Sequence, residues 1–249
     1  MPDCLIAVGS SLGDRSKNIE AACQAIDALP ATRLVCCSRL IETRPVGRAS
    51  GEFLNGCLVA ETGLPPRTLM DRLLEIESAG GRIRAAGNSV DRTIDLDILL
   101  FGERIVRQPG LSIPHPAMSF RRFVLEPAAE IAPGMRHPLL GSTASELLCG
   151  INRPARQIGW VGPALRTDPV SVEGWTLVPL TAEPETPLAD SLNLLIEPVP
   201  PATSRSELRW PEYGGPRWQT GLGQTARWPD TAGSVVDTAI ASMAGPSTR

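Results

Sequence analysis

Short apolar runs and longer periodic stretches alternate along the first 150 or so residues. Cys4-Leu5-Ile6-Ala7-Val8 is a continuous apolar run closed by Gly9-Ser10-Ser11-Leu12-Gly13, which reads as a buried strand entering a glycine-bounded loop. Asp14 can cap a helix, in which Ile19, Ala22, Cys23, Ile26 and Leu29 form one apolar stripe before Pro30 ends it. Strands are expected over about Arg33 to Ile41 and Phe53 to Thr62, across a loop that contains Pro45, Gly47 and Gly51. Pro65 and Pro66 suit the start of a second helix, with Leu69, Met70, Leu73, Leu74 and Ile76 along it up to Gly80-Gly81. Ile94 to Phe101 is the next strand.

The order β-α-β-β-α-β is the split pattern of ferredoxin-like α+β sandwiches. Two short helices, Pro127 to Pro133 and Thr143 to Ile151, extend it. Residues 1–151 therefore read as one catalytic domain. After about Asn152 the composition changes: proline becomes frequent and all five tryptophans (Trp160, Trp175, Trp210, Trp218, Trp228) fall there, so 152–249 reads as a separate extension. Its candidate elements are strands at Trp175 to Leu180 and Leu192 to Val199, and a helix from Gly233 to Ala244 with Val236, Ala239, Ile240 and Met243 on one face. A small packed unit and a partly disordered tail both remain open for it.

Composition narrows the function classes. A content of 42% hydrophobic residues in 249 supports a real core, and a formal charge of −3 gives no bulk attraction to nucleic acid or to an anionic membrane. Any anion site must be local. No apolar run approaches the ~20 residues of a membrane span. The N-terminus reads without a secretory leader, and the six cysteines lack C-x-x-C spacing and histidine partners. Buried free thiols in a reducing cytoplasm are expected. Lys17 is the single lysine, so arginine's planar fork is the cation available for phosphate.

The chemically informative stretch is Arg92-Thr93-Ile94-Asp95-Leu96-Asp97-Ile98-Leu99-Leu100. On a strand Ile94, Leu96, Ile98 and Leu100 would point one way, with Asp95 and Asp97 together on the other face, about 7 Å apart. Such a pair either faces solvent or holds a divalent cation; hard oxygen ligands without nearby His or Cys favour magnesium, which also takes phosphate oxygens. Arg82, Arg84 and Arg92 upstream, and Pro114-His115-Pro116 with Arg121-Arg122-Phe123 downstream, bracket the carboxylates as phosphoryl transfer requires. A P-loop motif is missing, and His115 and His137 lack zinc-ligand spacing.

Taken in order, Ala7 to Gly13, Thr43 to Gly47 leading to Phe53-Leu54-Asn55, Glu77, Gly81-Arg82-Ile83-Arg84, Arg92 to Asp97, and Pro114-His115-Pro116 with Arg121 and Phe123 resemble the motifs of the hydroxymethyldihydropterin pyrophosphokinase family over about residues 4 to 150. The resemblance implies transfer of pyrophosphate from ATP to 6-hydroxymethyl-7,8-dihydropterin, with AMP released. It implies two magnesium ions at Asp95 and Asp97, and ATP contacts from Glu77, Arg82, Arg84, Arg92, His115 and Arg121. Arg82 and Arg92 join the two aspartates as catalytic residues. A pterin would lie between Phe53 and Phe123 with its edge read by Asn55 and Thr43, a fit that ring stacking and an amide's paired donor and acceptor support. The chain departs from the family pattern at Ser89-Val90-Asp91, where Trp-Gly-Pro is usual, and at Ser11, where Asn is usual. The rival readings are a nucleotide- or pterin-binding module without turnover and another D-x-D magnesium-dependent nucleotidyltransferase.

Overall fold

The computed structural model describes residues 1–43, 51–81 and 92–152, and beyond them the backbones of the strands between 157 and 219. Strand β1 (Asp3–Ser10) lies between β4 (Phe53–Thr62) and β5 (Asp95–Phe101), antiparallel to both. Strand β2 (Thr32–Cys37) flanks β4, giving the order β2-β4-β1-β5, and the short β3 (Ile41–Thr43) also pairs with β4. The expected single strand from Arg33 to Ile41 is thus two. The chain leaves β2 at Ser38 and crosses over Gly56, where an added Cβ would lie 2.8 Å from Leu40 Cδ2 and 3.2 Å from Ser38 Oγ.

Helix α1 (Arg15–Asp27) begins as expected: the Asp14 side chain accepts the Lys17 N–H at 3.1 Å. Ile19, Ala22 and Ile26 are buried, with Cys23 and Leu29 half-buried beside them. Helix α2 (Pro66–Ala79) starts with Pro66 in its first turn, where a missing N–H costs nothing, and buries Leu69 and Leu73. Both helices cover one face of the sheet and form the larger core with Cys4, Ile6, Val8, Leu58, Leu96 and Ile98. The other face carries Leu5, Cys57 and Val59 against α3 (Arg122–Ile131) and α4 (Ala144–Ile151).

Two expectations change in this second layer. The helix placed at Pro127 to Pro133 begins at Arg122 and runs through Pro127, because Val124, Leu125 and Ala128 bury one apolar face that outweighs the lost N–H. Its N-terminus therefore carries Arg121 as cap residue, with Phe123 in the first turn. The alternation along β5 also breaks. Ile6 pairs with Ile98 but Leu5 pairs with Leu100, so Leu99 is the extra residue of a bulge, and Leu100 joins the α3 side instead of sharing a face with Leu96 and Ile98. Helix α4 is held by a capping box: Glu146 N–H donates to Thr143 Oγ1 at 3.2 Å, and Thr143 N–H to Glu146 Oε2 at 2.7 Å.

The cysteines are less uniformly buried than expected. Cys4 and Cys57 are buried, Cys23 and Cys36 half-buried, and Cys37 and Cys149 exposed. A hairpin of β6 (Val106–Gln108) and β7 (Leu111–Ile113) precedes α3. Farther on, β8 (Gln157–Val161), β9 (Val170–Val172), β10 (Trp175–Leu180), β11 (Leu194–Pro198), β12 (Ser206–Arg209) and β13 (Trp218–Gln219) form a separate sheet in the order β13-β12-β11-β8-β10-β9, where β8 runs parallel to β10 and β11. The helix expected from Gly233 lies outside the described residues. Among the described residues no helix is long and apolar enough to cross a membrane.

His137 is buried in the turn before α4, and its Nδ1 accepts the Leu140 N–H at 3.3 Å, which requires that nitrogen to be unprotonated. Burial lowers its pKa from 6.5 to about 4. Between those values the unfolded chain binds the extra proton and the folded one does not, so stability is lost as pH falls through that window. Denaturant titrations should show a lower unfolding free energy at pH 5 than at pH 7, and His137→Gln should flatten part of that slope. An unchanged slope would mean that this ring does not contribute.

Candidate active site

Directly opposed residues in antiparallel strands present their side chains on the same face. Asp95 opposes Gly9 and Gly9 opposes Asn55; Asp97 opposes Ala7 and Ala7 opposes Cys57. Phe53, two residues before Asn55, opposes Thr43. Five of the candidate residues, Thr43, Phe53, Asn55, Asp95 and Asp97, therefore share one face near one end of the sheet, the face that α3 covers farther along. Asn55 Nδ2 donates to Thr43 Oγ1 at 2.7 Å, so the two sequence-distant polar groups form one buried unit. Between Asn55 and Asp95 the sheet has only Gly9. A Cβ there would stand 2.8 Å from Asn55 Oδ1 and 3.9 Å from the Phe53 ring. Glycine keeps a strip of bare backbone between the amide and the carboxylates.

The charges are arranged around that strip. Arg92 Nη1 lies 2.5 Å from Asp95 Oδ1. Its backbone is clamped by the β1–α1 loop: Ser11 and Leu12 N–H donate to the Arg92 carbonyl at 2.9 and 3.2 Å, and Arg92 N–H donates to Ser11 Oγ at 2.9 Å. Ser10 Oγ donates to the next carbonyl, that of Thr93, at 2.6 Å. Burial and the neighbouring Asp95 charge push Asp97 up to about 7, against the opposing pull of Arg121 and Arg92. Yet Asp97 keeps 40% of its side-chain surface open, so a ligand can reach a carboxylate that its surroundings leave poorly compensated.

His115 faces this carboxylate, with Nε2 at 3.9 Å from Asp97 Oδ2. Its Nδ1 accepts the Ala117 N–H at 3.2 Å, and burial and the Arg121 charge depress its pKa to about 3. The ring is neutral, with its proton on Nε2, and offers the site a donor without charge. The Leu99 bulge explains its placement. The unpaired Leu99 presents its carbonyl to His115 N–H at 2.9 Å, fixing the Pro114-His115-Pro116 segment to the strand that carries the aspartates. Arg121 is half-buried at the start of α3, 5.6 Å from the Phe123 ring centroid, and its buried Nε has no hydrogen-bond partner among the described residues.

Glu77 lies on the α2 side, where it is buried and accepts the Leu96 N–H at 2.8 Å. It supports the peptide between the two aspartates from behind. Arg82, Arg84 and the 85–91 segment lie outside the described residues. A further residue at the site is Arg15, which joins Glu42 of β3 at 2.6 Å and the Glu52 carbonyl at 2.9 Å, bracing the ends of the strands that hold Thr43 and Phe53. Its charge among periodic helix positions gave no distinguishing signal. The Leu99 bulge was equally hidden, because Ile98 to Phe101 are all apolar.

The donor set suits a hard divalent cation. Asp95 and Asp97 are all-oxygen ligands, and a cation would relieve the repulsion that raises Asp97. Among the described residues no group of three or more His, Cys, Asp or Glu side chains is placed to hold a metal. Chemistry in which a metal and arginines together take up the charge of a migrating phosphoryl group is that of phosphotransferases. Residues 5–133 match the family model of 7,8-dihydro-6-hydroxymethylpterin-pyrophosphokinase (HPPK). The 2-amino-4-hydroxy-6-hydroxymethyldihydropteridine pyrophosphokinase of Pseudomonas aeruginosa is 44% identical over 134 residues, covering 53% of this chain and 82% of that one. The protein of the same name from Haemophilus influenzae is 39% identical over 53% of this chain and 83% of its own. A crystal structure of Plasmodium falciparum HPPK-DHPS aligns over 59% of this chain and 43% of that one, at 14% identity and a TM-score of 0.48. The chain belongs to the 7,8-dihydro-6-hydroxymethylpterin-pyrophosphokinase family.

The carboxylate coupling is directly measurable. In metal-free protein the Asp97 carboxyl carbon should titrate near pH 7, and Asp95→Asn should move that titration down by removing the like charge. An unmoved titration would show that Asp95 does not act on Asp97.

Proposed function

We propose that this chain transfers a pyrophosphoryl group from ATP to the hydroxymethyl oxygen of 6-hydroxymethyl-7,8-dihydropterin, in folate biosynthesis in the cytoplasm. The hydroxymethyl oxygen attacks the β-phosphorus and AMP leaves. The observation that carries this reading is the row Asp95–Gly9–Asn55 across three strands, in which a carboxylate suited to metal and phosphate and an amide suited to the edge of a pterin stand on either side of a bare glycine. The frame is ferredoxin-like in this reading, and residues 1–151 carry the chemistry, with 152–249 as an extension outside it.

Each residue has a role that its surroundings support. Asn55, held by Thr43, reads the polar edge of the pterin, and Phe53 and Phe123 stack on its faces. Arg121 and Arg92 hold phosphate oxygens, joined by Arg82 and Arg84. Arg92 is already beside Asp95 and exchanges that partner for phosphate when ATP enters. His115 donates Nε2–H to a phosphate oxygen. Glu77, placed among the ATP contacts by the family resemblance, acts through the Leu96 peptide it supports. Magnesium, two ions in this reading, binds Asp95, Asp97 and the phosphates and supplies Lewis-acid neutralisation of the charge that develops on them. The rest is positioning: the alcohol and the phosphorus are brought in line.

The test is incubation of the purified chain with ATP, magnesium and the pterin alcohol. AMP and the pterin diphosphate should form in equal amounts. Intact ATP would overturn the reading, and AMP attached to the pterin would make the chain a nucleotidyltransferase. Gly9→Ala should raise KM for the pterin roughly tenfold, because its methyl group displaces Asn55 at a cost of about 1–3 kcal/mol, while leaving ATP binding nearly unchanged. An unchanged pterin KM would remove Gly9 from the pocket.

A further inference from the structure

The face of the sheet opposite the carboxylates holds a pair of thiols that the transfer reaction does not use. In a regular strand Cys37 would point away from α1. Strand β2 is not regular: Leu34 pairs with Ala60 and Cys36 with Val59, so Val35 is the extra residue of a bulge. Beyond it Cys36 turns toward the α3 layer, while Cys37, paired with Leu58, turns toward the α1 layer. There it faces the layer of α1, in which Cys23 is half-buried against the same core, and the two thiols are near enough to act on each other's protons. One member is half-buried and the other exposed. A small reagent can therefore reach Cys37 while Cys23 waits behind it.

We propose that Cys23 and Cys37 form a redox pair that closes to an intramolecular disulfide, tying α1 to β2, on reaction with a low-molecular-weight disulfide. The Cys37 thiolate attacks one sulfur of the small disulfide, forming a mixed disulfide and releasing one small thiol. Cys23 then attacks the Cys37 sulfur, the protein S–S bond forms, and the second small thiol leaves. The protein gives up two electrons and two protons, and the small disulfide is reduced to two thiols. Other partners are excluded by position: Cys36 faces the opposite layer, Cys4 and Cys57 are buried, and Cys149 lies on α4. Burial pushes the Cys23 thiol up to about 12, so the pair keeps its protons at neutral pH and closes only under sustained oxidant. The closed loop runs through the end of α1 and most of β2, the strand that leads to Thr43. This inference is independent of the proposed transfer reaction.

The experiment exposes the full chain to excess oxidised glutathione, quenches with an alkylating reagent and maps peptides by mass. The expected product is a Cys23–Cys37 cross-linked peptide, with a melting temperature raised by about 5 °C or more and both effects reversed by dithiothreitol. Cys23→Ser should leave Cys37 as a stable glutathione adduct, because the second thiol is gone. Cys37→Ser, at an exposed position, should leave Cys23 without either cross-link or adduct, and it keeps the test decisive if the Cys23 variant folds poorly. A glutathione adduct persisting on Cys37 of the unsubstituted chain, or a cross-link to any other cysteine or between two molecules, would overturn the proposal.

Discussion

Two carboxylates on one face of a sheet, fixed there by strand register, are the constraint around which the site is organised. Asp95 and Asp97 cannot separate, because Leu96 between them is buried in the opposite core and its peptide is held by Glu77. Repulsion of this kind in a crowded setting costs stability unless cations answer it. Arg92 answers for Asp95 at 2.5 Å, whereas Asp97 lacks a comparably close arginine among the described residues and responds by holding its proton up to about pH 7. Under the proposed function a metal held by Asp95 and Asp97 would supply the positive charge that Asp97 lacks, and phosphates would give the arginines another partner. The imbalance of the site and its affinity for those ligands would then have the same origin.

The surrounding structure keeps that imbalance from relaxing. Ser10, Ser11 and Leu12 hold the backbone at Arg92 and Thr93, so the arginine cannot withdraw with its loop. The bulge at Leu99 ties His115 to the same strand, and the start of α3 at Arg122 leaves Arg121 near Asp97, with Phe123 half-buried against the core on that side. On the other side of Gly9, the Thr43–Asn55 hydrogen bond fixes an amide edge at the distance of two strands. Separate elements thus converge through backbone and side-chain hydrogen bonds, a rigid way to position groups for transfer.

What could be read from the sequence followed the periodicity of the elements. The alternation Ile94-Asp95-Leu96-Asp97 placed both carboxylates on one face correctly, since it ends before the bulge. It failed at Leu100, where an unbroken apolar run gives no sign of a register change. The same failure hid the outlook of Cys37, where Val35 interrupts β2. The stripe of α1 and the proline start of α2 were legible because local chemistry and packing agree there. Helix α3 was misplaced because Pro127 suggested a first turn, whereas burial of Val124, Leu125 and Ala128 fixes the true start farther upstream. The Asn55–Thr43 unit depends on pairing between β3 and β4, which no local pattern reports; only the family resemblance brought these two residues together.

Whether the Asp95–Asp97 face receives metal and nucleotide together can be read out with a paramagnetic ion. Manganese added with a non-hydrolysable ATP analogue to isotope-labelled full-length protein should broaden the resonances of Asp95, Leu96, Asp97, Gly9, His115 and Arg121 first. Those of α4 should persist. Broadening that spares Asp95 and Asp97 and centres on another part of the chain would contradict the account.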